Sequence, residues 1–443
     1  MSFRSVVKAF IPQKLFKKIE PYGHLGEAVL LNSLNGFPWR GLNVIGVTGT
    51  NGKSSTCFLI HRMMADAGYK VALLTTIAYG VGDDIKPQDE HMTTSSVPKL
   101  LGRLKQLKKA HNFDWVILET TSQGLAQHRV WGVPFSIAVM TNVTHEHLDY
   151  HGTFENYLGA KRRLFKLTDR NKRGRRTGVI NAEDPSAKLF EADIASSLTY
   201  GLKAGEIRTS DIKATSSGSD FTVKSQTDKD LMLKIHSNLP GSFNVSNALA
   251  AVGVGLVLKL ESGQIEKGIG ALKHVEGRMT PINEGQAFNV IVDYAHTPDS
   301  FEKLFKDLKP VVKGKLIVMF GSAGGQRDPA KRPIQGELAG KYADEVILTE
   351  EDDRDTPGME ILEQIAVGVQ KNGKVRDKDL FLVHDRTEAI KFTLGRAKAG
   401  DTVLLLGKGH EKTIDRAHGE DPWDETAIAK ETLHNLLSSS RKK

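Results

Sequence analysis

The chain has 443 residues, enough for two or three domains with a large buried core. Its 39% apolar and 26% charged content is that of an ordinary globular protein, and its single cysteine, Cys57, excludes internal disulfides and a cysteine-rich metal site. The net charge of +8 comes with no nucleic-acid motif, no membrane-length apolar run and no secretion-signal pattern, so a cytoplasmic protein without a nucleic-acid partner is expected.

Residues 1–40 are too few for a separate globular domain and are read as an N-terminal arm. Phe3, Val6, Val7, Phe10, Ile11, Leu15, Phe16 and Ile19 alternate with Arg4, Lys8, Lys14, Lys17 and Lys18 as an amphipathic pattern broken around Pro12. Packing on the body of the protein is the expectation; the alternative is weak contact of residues 1–20 with an anionic membrane surface.

Leu42–Ile45 is a short apolar run of strand type, and Thr56–Ala65 has the apolar spacing of a helix. Between them lies Gly46-Val-Thr-Gly-Thr-Asn-Gly-Lys-Ser-Ser55. A strand, a glycine-rich turn and a helix start make an anion site, because backbone N–H groups and the helix N-terminus converge there. Lys53 can reach the outer phosphates of a nucleotide and the Ser54 hydroxyl can ligate Mg²⁺. The stretch departs from the generic phosphate-loop pattern at Val47, with Gly46 and Gly49 flanking that place.

Strand and helix patterns alternate from Leu42 to about Leu202: strands at Val71–Thr76, Trp115–Glu119 and Ser136–Thr141, with a helix at Pro98–Lys109. Open α/β sheets place ligands at the carboxyl ends of their strands, where Glu119 stands as a candidate Mg²⁺ ligand. Asn142–His151 packs three imidazoles and two carboxylates into ten residues. Its spacing lacks the close histidine pair of a zinc site, so Mg²⁺ and phosphate chemistry suit it better. Ile207–Val223 alternates as β-hairpins do, and Pro240–Ala251 opens a helix with Asn244 and Asn247 on one face. Further strands are expected at Val290–Asp293, Lys315–Phe320, Asp344–Thr349 and Thr402–Leu406.

The glycine loop, Glu119–Arg129, Thr141–Gly152 and Tyr157–Phe165 together resemble the Mur ligases, and the match runs in order from about Leu42 to Glu411. Within that family the chain is most similar to the members that add the third residue of the peptidoglycan stem peptide. The resemblance implies an α/β fold: a P-loop central domain with a parallel-rich sheet over residues 41–277 and a Rossmann-like domain over 278–443. It implies an ATP-dependent amide ligase that works through an acyl phosphate, with the last domain closing to complete the site. Gly49, Thr50, Asn51, Gly52, Lys53, Ser54, Ser55, Asn142, Asn247, Arg278 and Asp293 would hold ATP. Ser54, Glu119, His147 and Lys161, the last as a CO₂-derived carbamate, would hold two Mg²⁺ ions.

On the same footing, Thr93, Thr94, Ser122, Gln127 and Arg129 match positions that contact the UDP-muramyl-peptide acceptor. Asp352, Arg354, Gly407 and Glu411 match the pocket for the incoming amino acid, with meso-diaminopimelate favoured and lysine the alternative. Where diaminopimelate-adding members carry Asp-Asn-Pro-Arg, this chain keeps the arginine but has Asp352 and Asp353 before it. Only about forty residues precede the glycine loop, where such members have a whole domain that grips the uridine diphosphate. A folylpolyglutamate-synthetase-like enzyme with another acceptor, or a nucleotide-binding regulatory subunit, are the alternatives. A monomer is expected.

Overall fold

A computed structural model of the protein describes residues 13–88, 93–144, 146–215, 218–325 and 328–440. Of the sequence expectations, the first part of the membrane-contact segment, residues 1–12, lies outside these. The chain divides into two compact units. The first holds the described residues up to Asp211 with Phe221–Ile235 and Ser246–Ala271; the second holds Ile212–Asp220, His236–Val245 and Leu272 onward.

The first unit opens with helix α1 (Gln13–Leu34), whose inner face buries His24, Ala28 and Asn32. The helix runs through Pro21, so the interruption expected around Pro12 does not extend into it. Strand β1 (Asn43–Thr48) follows and then α2 (Lys53–Asp66). After them come β2 (Val71–Leu74), β3 (Ala78–Val81), β4 (Asp84–Pro87), α3 (Val97–Ala110), β5 (Trp115–Glu119), β6 (Phe135–Met140), α4 (Phe154–Arg170), β7 (Thr177–Asn181) and β8 (Ser196–Gly201). With β9 (Ile207–Thr215), β10 (Gly218–Ser225) and β11 (Met232–Ser237) they form an eleven-stranded sheet ordered β11-β10-β9-β8-β7-β6-β1-β5-β2-β3-β4.

Strand β1 pairs in parallel with β5 and β6 along both its edges, α2 and α4 pack on it, and its residues from Val44 to Thr48 are buried. The register sets Val47 beside Glu119 and Thr48 beside Met140, which brings three strand ends to one edge. Gly46 belongs to this strand rather than to the phosphate turn. A Cβ there would stand 2.6 Å from Leu164 Cδ1 and 2.8 Å from the Phe135 ring, so the missing side chain lets α4 lie directly on β1.

The second unit carries a six-stranded sheet ordered β12-β13-β17-β14-β15-β16, where β12 is Thr280–Ile282, β13 Asn289–Asp293, β14 Leu316–Phe320, β15 Glu345–Leu348, β16 Leu380–Leu382 and β17 Thr402–Leu406. Every neighbour pair is parallel except β12 with β13. Apolar clusters pack on each face, one centred on Phe301, Phe305 and Phe320, the other on Ile317, Ile347 and Leu394. This is the doubly wound arrangement expected of a parallel sheet. No described helix is long and apolar enough to cross a membrane.

Candidate active site

The phosphate-type turn is fixed from beneath by the next strand end. Asn142 accepts from the Thr50 N–H through its carbonyl at 2.8 Å and from the Asn51 N–H through its side chain at 2.9 Å. The Asn51 carbonyl in turn accepts from Asn142 Nδ2 at 3.0 Å and Thr141 Oγ1 at 2.7 Å. Gly52 has φ of 83°, a left-handed conformation that glycine adopts freely, and α2 starts directly after it. Its Cα is so close to the Asn247 side-chain amide that a Cβ would collide, which puts Asn247 against the turn. Lys53 Nζ donates to the Thr50 carbonyl at 2.7 Å. Ser55 is buried at the start of α2.

Two ligand-type groups meet at the head of α2. Ser54 Oγ lies 3.0 and 2.9 Å from the two oxygens of Glu119, which is 1% exposed. The Thr76 N–H donates to Glu119 Oε2 at 3.0 Å, so the carboxylate is aimed between the head of α2 and the segment that follows β2. A hydroxyl and a held carboxylate are the hard oxygen donors that Mg²⁺ takes, and the pair fits that ion.

Lys161 lies on α4, buried with 2% exposure, and its Nζ donates to the Gly49 carbonyl at 2.5 Å. Burial, reinforced by the charge of Lys53, pushes this amine well below the usual lysine range. A neutral amine is the form that adds CO₂, so the residue fits the carbamate role. Tyr157 is one helical turn earlier: its ring lies 4.5 Å from Lys161 Nζ, and its hydroxyl is 2.8 Å from Thr50 Oγ1. The His147 ring is 6.2 Å from the Tyr157 ring and its Nε2 3.8 Å from Glu146. His147 has φ of 56°, an uncommon conformation for a non-glycine residue. Lys53, Ser54, Glu119 and Lys161 are thus linked through one turn and its supports, while His147 approaches that group through the Tyr157 ring. Tyr157 was not singled out from the sequence; the available signal was its four-residue spacing from Lys161.

The acceptor-matching residues form a connected set. Thr94 is buried; its hydroxyl donates to the Glu119 carbonyl at 3.2 Å and accepts from the Thr121 N–H at 2.9 Å. Arg129 donates to the Thr94 carbonyl at 2.7 Å and to the Gln127 side-chain oxygen. Gln127 Nε2 reaches the Tyr150 hydroxyl at 3.0 Å, and Ser122 Oγ is 3.0 Å from His151 Nε2. Thr93 lines a small cleft with Tyr79, Ser95 and Arg103.

In the second unit, Asp293 is buried and both its oxygens are taken, by the Met279 and Ala295 N–H groups at 2.7 Å each. It thereby fixes the turn that sets the Arg278 guanidinium 4.5 Å over the Tyr294 ring. Lys408 Nζ, fully buried, bridges Asp352 at 2.8 Å and Glu411 at 2.6 Å. Glu411 also accepts from the Tyr294 hydroxyl at 3.1 Å. Arg354 donates to Asp415 at 2.9 Å and stands 3.8 Å from Asp352. Gly407 has φ of 104°, and a Cβ on it would lie 2.6 Å from Glu351 Oε2, a buried oxygen without a hydrogen-bond partner. Among the described residues, Glu350, Asp353 and His384 have ligand atoms within 4.8 Å of one another. Arg416 already grips both Glu350 oxygens, at 2.9 and 2.7 Å, which makes that trio a poor cation site.

Residues 47–255 match the Mur ligase middle domain and residues 277–409 the Mur ligase glutamate ligase domain. The UDP-N-acetylmuramyl-tripeptide synthetase of Roseiflexus sp. is 39% identical over 432 residues, spanning 94% of this chain and 83% of that protein. The chain belongs to the Mur ligase family. It is therefore an ATP-dependent ligase that forms an amide bond, with the α/β fold of its relatives. The UDP-N-acetylmuramoyl-L-alanyl-D-glutamate–2,6-diaminopimelate ligase of Caldanaerobacter subterraneus is 37% identical, spanning 89% of this Mur ligase and 79% of that one. A solved structure of such a diaminopimelate ligase, 29% identical, superposes with a TM-score of 0.63 over 95% of this chain and 83% of that chain. The Thermotoga maritima MurF ligase in complex with ADP shares the fold, with a TM-score of 0.66 at 17% identity over 93% of this chain and 84% of that one.

Proposed function

We infer that this Mur ligase joins an amino acid to the free carboxylate of a UDP-N-acetylmuramyl dipeptide, in peptidoglycan precursor synthesis. The observation that carries the reading is the convergence of Ser54, Glu119 and Lys161 on one nucleotide-type turn. In this reading the turn amides and Lys53 hold the triphosphate of ATP. When bound, Mg²⁺ at Ser54 and Glu119, and at His147 with carbamylated Lys161, neutralises phosphate charge. The acceptor carboxylate, oriented by Thr93, Ser122, Gln127 and Arg129, attacks the γ-phosphorus and releases ADP. The amine of the amino acid then attacks the acyl phosphate, and phosphate leaves from the tetrahedral intermediate. Little covalent chemistry falls to the protein, so positioning and charge neutralisation do the catalysis.

For the amino acid, the unpartnered Glu351 oxygen supports a substrate with a distal ammonium, whereas both Glu411 oxygens are already held, by Lys408 and Tyr294. meso-Diaminopimelate is the candidate that would draw Arg354 from Asp415 onto its second carboxylate. The existing Arg354–Asp415 pair supports a second candidate, lysine, which leaves that pair intact.

Phosphate release and product mass, measured with ATP, Mg²⁺ and UDP-N-acetylmuramyl dipeptide across meso-diaminopimelate, lysine and glutamate, test the reading. Amino-acid-dependent release that Lys53→Ala abolishes is expected. Release that survives Lys53→Ala, or that requires glutamate and a different acceptor, overturns it.

A further inference from the structure

Helix α1 takes no part in the chemistry above, and one of its faces carries apolar side chains into solvent. Tyr22 is 75% exposed, Leu30 58% and Leu34 73%. With Gly26 they recur every four residues and share one side of the helix. Val29 is exposed beside them, and between Tyr22 and Leu34 the one acidic residue is Glu27. The opposite side is the one that holds α1 to its unit, where Asn32 Nδ2 donates to the Trp131 carbonyl at 3.3 Å. A single exposed leucine is ordinary, whereas a ridge of large apolar groups along one helix face marks an interaction surface.

The surroundings of the ridge are basic. Helix α1 packs beside α3, whose fourteen residues include Lys99, Arg103, Lys105, Lys108 and Lys109 and no acid. Lys105, Lys108 and Lys109 are exposed, and Lys108 Nζ donates to the Pro38 carbonyl at 2.6 Å, which ties this basic helix to the segment just after α1. A second copy of the chain packed on the same face by two-fold symmetry would bring these lysines toward their own equivalents. An anionic lipid surface is complementary in both respects: its headgroups take the lysines and its acyl boundary takes the ridge.

We propose that this face of α1 docks the ligase reversibly on membranes with anionic headgroups, Tyr22, Leu30 and Leu34 entering the interface while the α3 lysines lie over the headgroups. The proposal is independent of which amino acid or acceptor the enzyme uses. The contact is peripheral, since no described helix can span a bilayer.

Flotation of the full chain with phosphatidylcholine vesicles, with and without about 30% phosphatidylglycerol, tests it at about 0.05 M and about 0.5 M salt. Binding is expected only with phosphatidylglycerol, and it should fall steeply at the higher salt. Leu30→Asp with Leu34→Asp should lower the bound fraction at least about tenfold, with ADP release in solution unchanged, because both side chains are exposed. Lys105→Glu with Lys109→Glu should weaken binding in the same direction. Absence of flotation, equal flotation with both vesicle types, or unaltered flotation of the leucine variant overturns the proposal. So does sedimentation equilibrium that finds a dimer which the leucine variant splits, because the face then belongs to a second copy.

Discussion

Lys161 Nζ and the carbonyl of Gly49, 112 positions apart in sequence, are 2.5 Å from each other. The residue that would carry the carbamate is thereby hydrogen-bonded to the turn that would carry the phosphates. Its placement depends on α4 lying against β1, and its chemistry depends on that same burial.

Lys161→Met should abolish turnover, by about 10³-fold or more, since the variant has no anionic oxygen to offer a cation. The fold should survive, because methionine has a similar length and no charge to desolvate. Steady-state ADP release read beside the thermal midpoint checks both halves. A variant that keeps its turnover refutes the assignment of Lys161.

Ser54→Ala removes one of the two side chains that face each other at the head of α2, while Thr76 still holds Glu119. A fall in kcat on the order of 10²-fold is expected, the usual size for losing one positioned electrostatic group. The apparent requirement for Mg²⁺ should rise with it. Titrating Mg²⁺ at fixed ATP separates this outcome from a general folding defect, which would leave the Mg²⁺ midpoint where it was.

His61, buried on α2 and 3.3 Å from the Val71 carbonyl, makes stability sensitive to acid. Burial pushes its pKa down from 6.5 to about 4. Below the ordinary value the unfolded chain takes up a proton that the folded chain refuses, so stability falls as pH drops from 6.5 toward 4. The loss amounts to on the order of 3 kcal/mol once the folded value is reached. Denaturant unfolding at about pH 7 and about pH 4.5 should show a smaller difference for His61→Gln than for the parent.

In the second unit, Arg386 and Glu425 form an ion pair in which both side chains are wholly buried, 2.7 Å apart. Trp423 Nε1 donates to the same carboxylate at 2.9 Å. Arg386→Met leaves Glu425 buried without its counter-charge and should cost about 3–5 kcal/mol. The double variant with Glu425→Gln should recover part of that loss. Urea midpoints for the parent, the two single variants and the double variant measure the coupling.

The central strands were legible because their chemistry is local. Trp115–Glu119 and Thr402–Leu406 are apolar runs bounded by polar residues, and the observed strands have those bounds. The short pair Ala78–Val81 and Asp84–Pro87 gave no such signal: it lies at the sheet edge, where Lys86 and Pro87 are tolerated. Helix α1 was harder still, because Pro21, Gly23 and Gly26 argue locally against a helix that burial of His24, Ala28 and Asn32 supports. For the candidate site, residue identities were readable from the motifs but their partners were not. Nothing in the sequence indicates that Tyr157 reaches Thr50 or that Lys408 bridges Asp352 and Glu411, since those contacts join distant turns.

The bare Cα of Gly46 has a practical corollary for anyone altering this enzyme. Because that position sets how closely the helix bearing Lys161 rests on the first strand, its spacing acts as a ruler between nucleotide turn and amine. Grafting a consensus phosphate loop onto this scaffold should therefore leave Gly46 untouched, since even one added methyl there would lift α4 and detune the reaction without changing any reacting group.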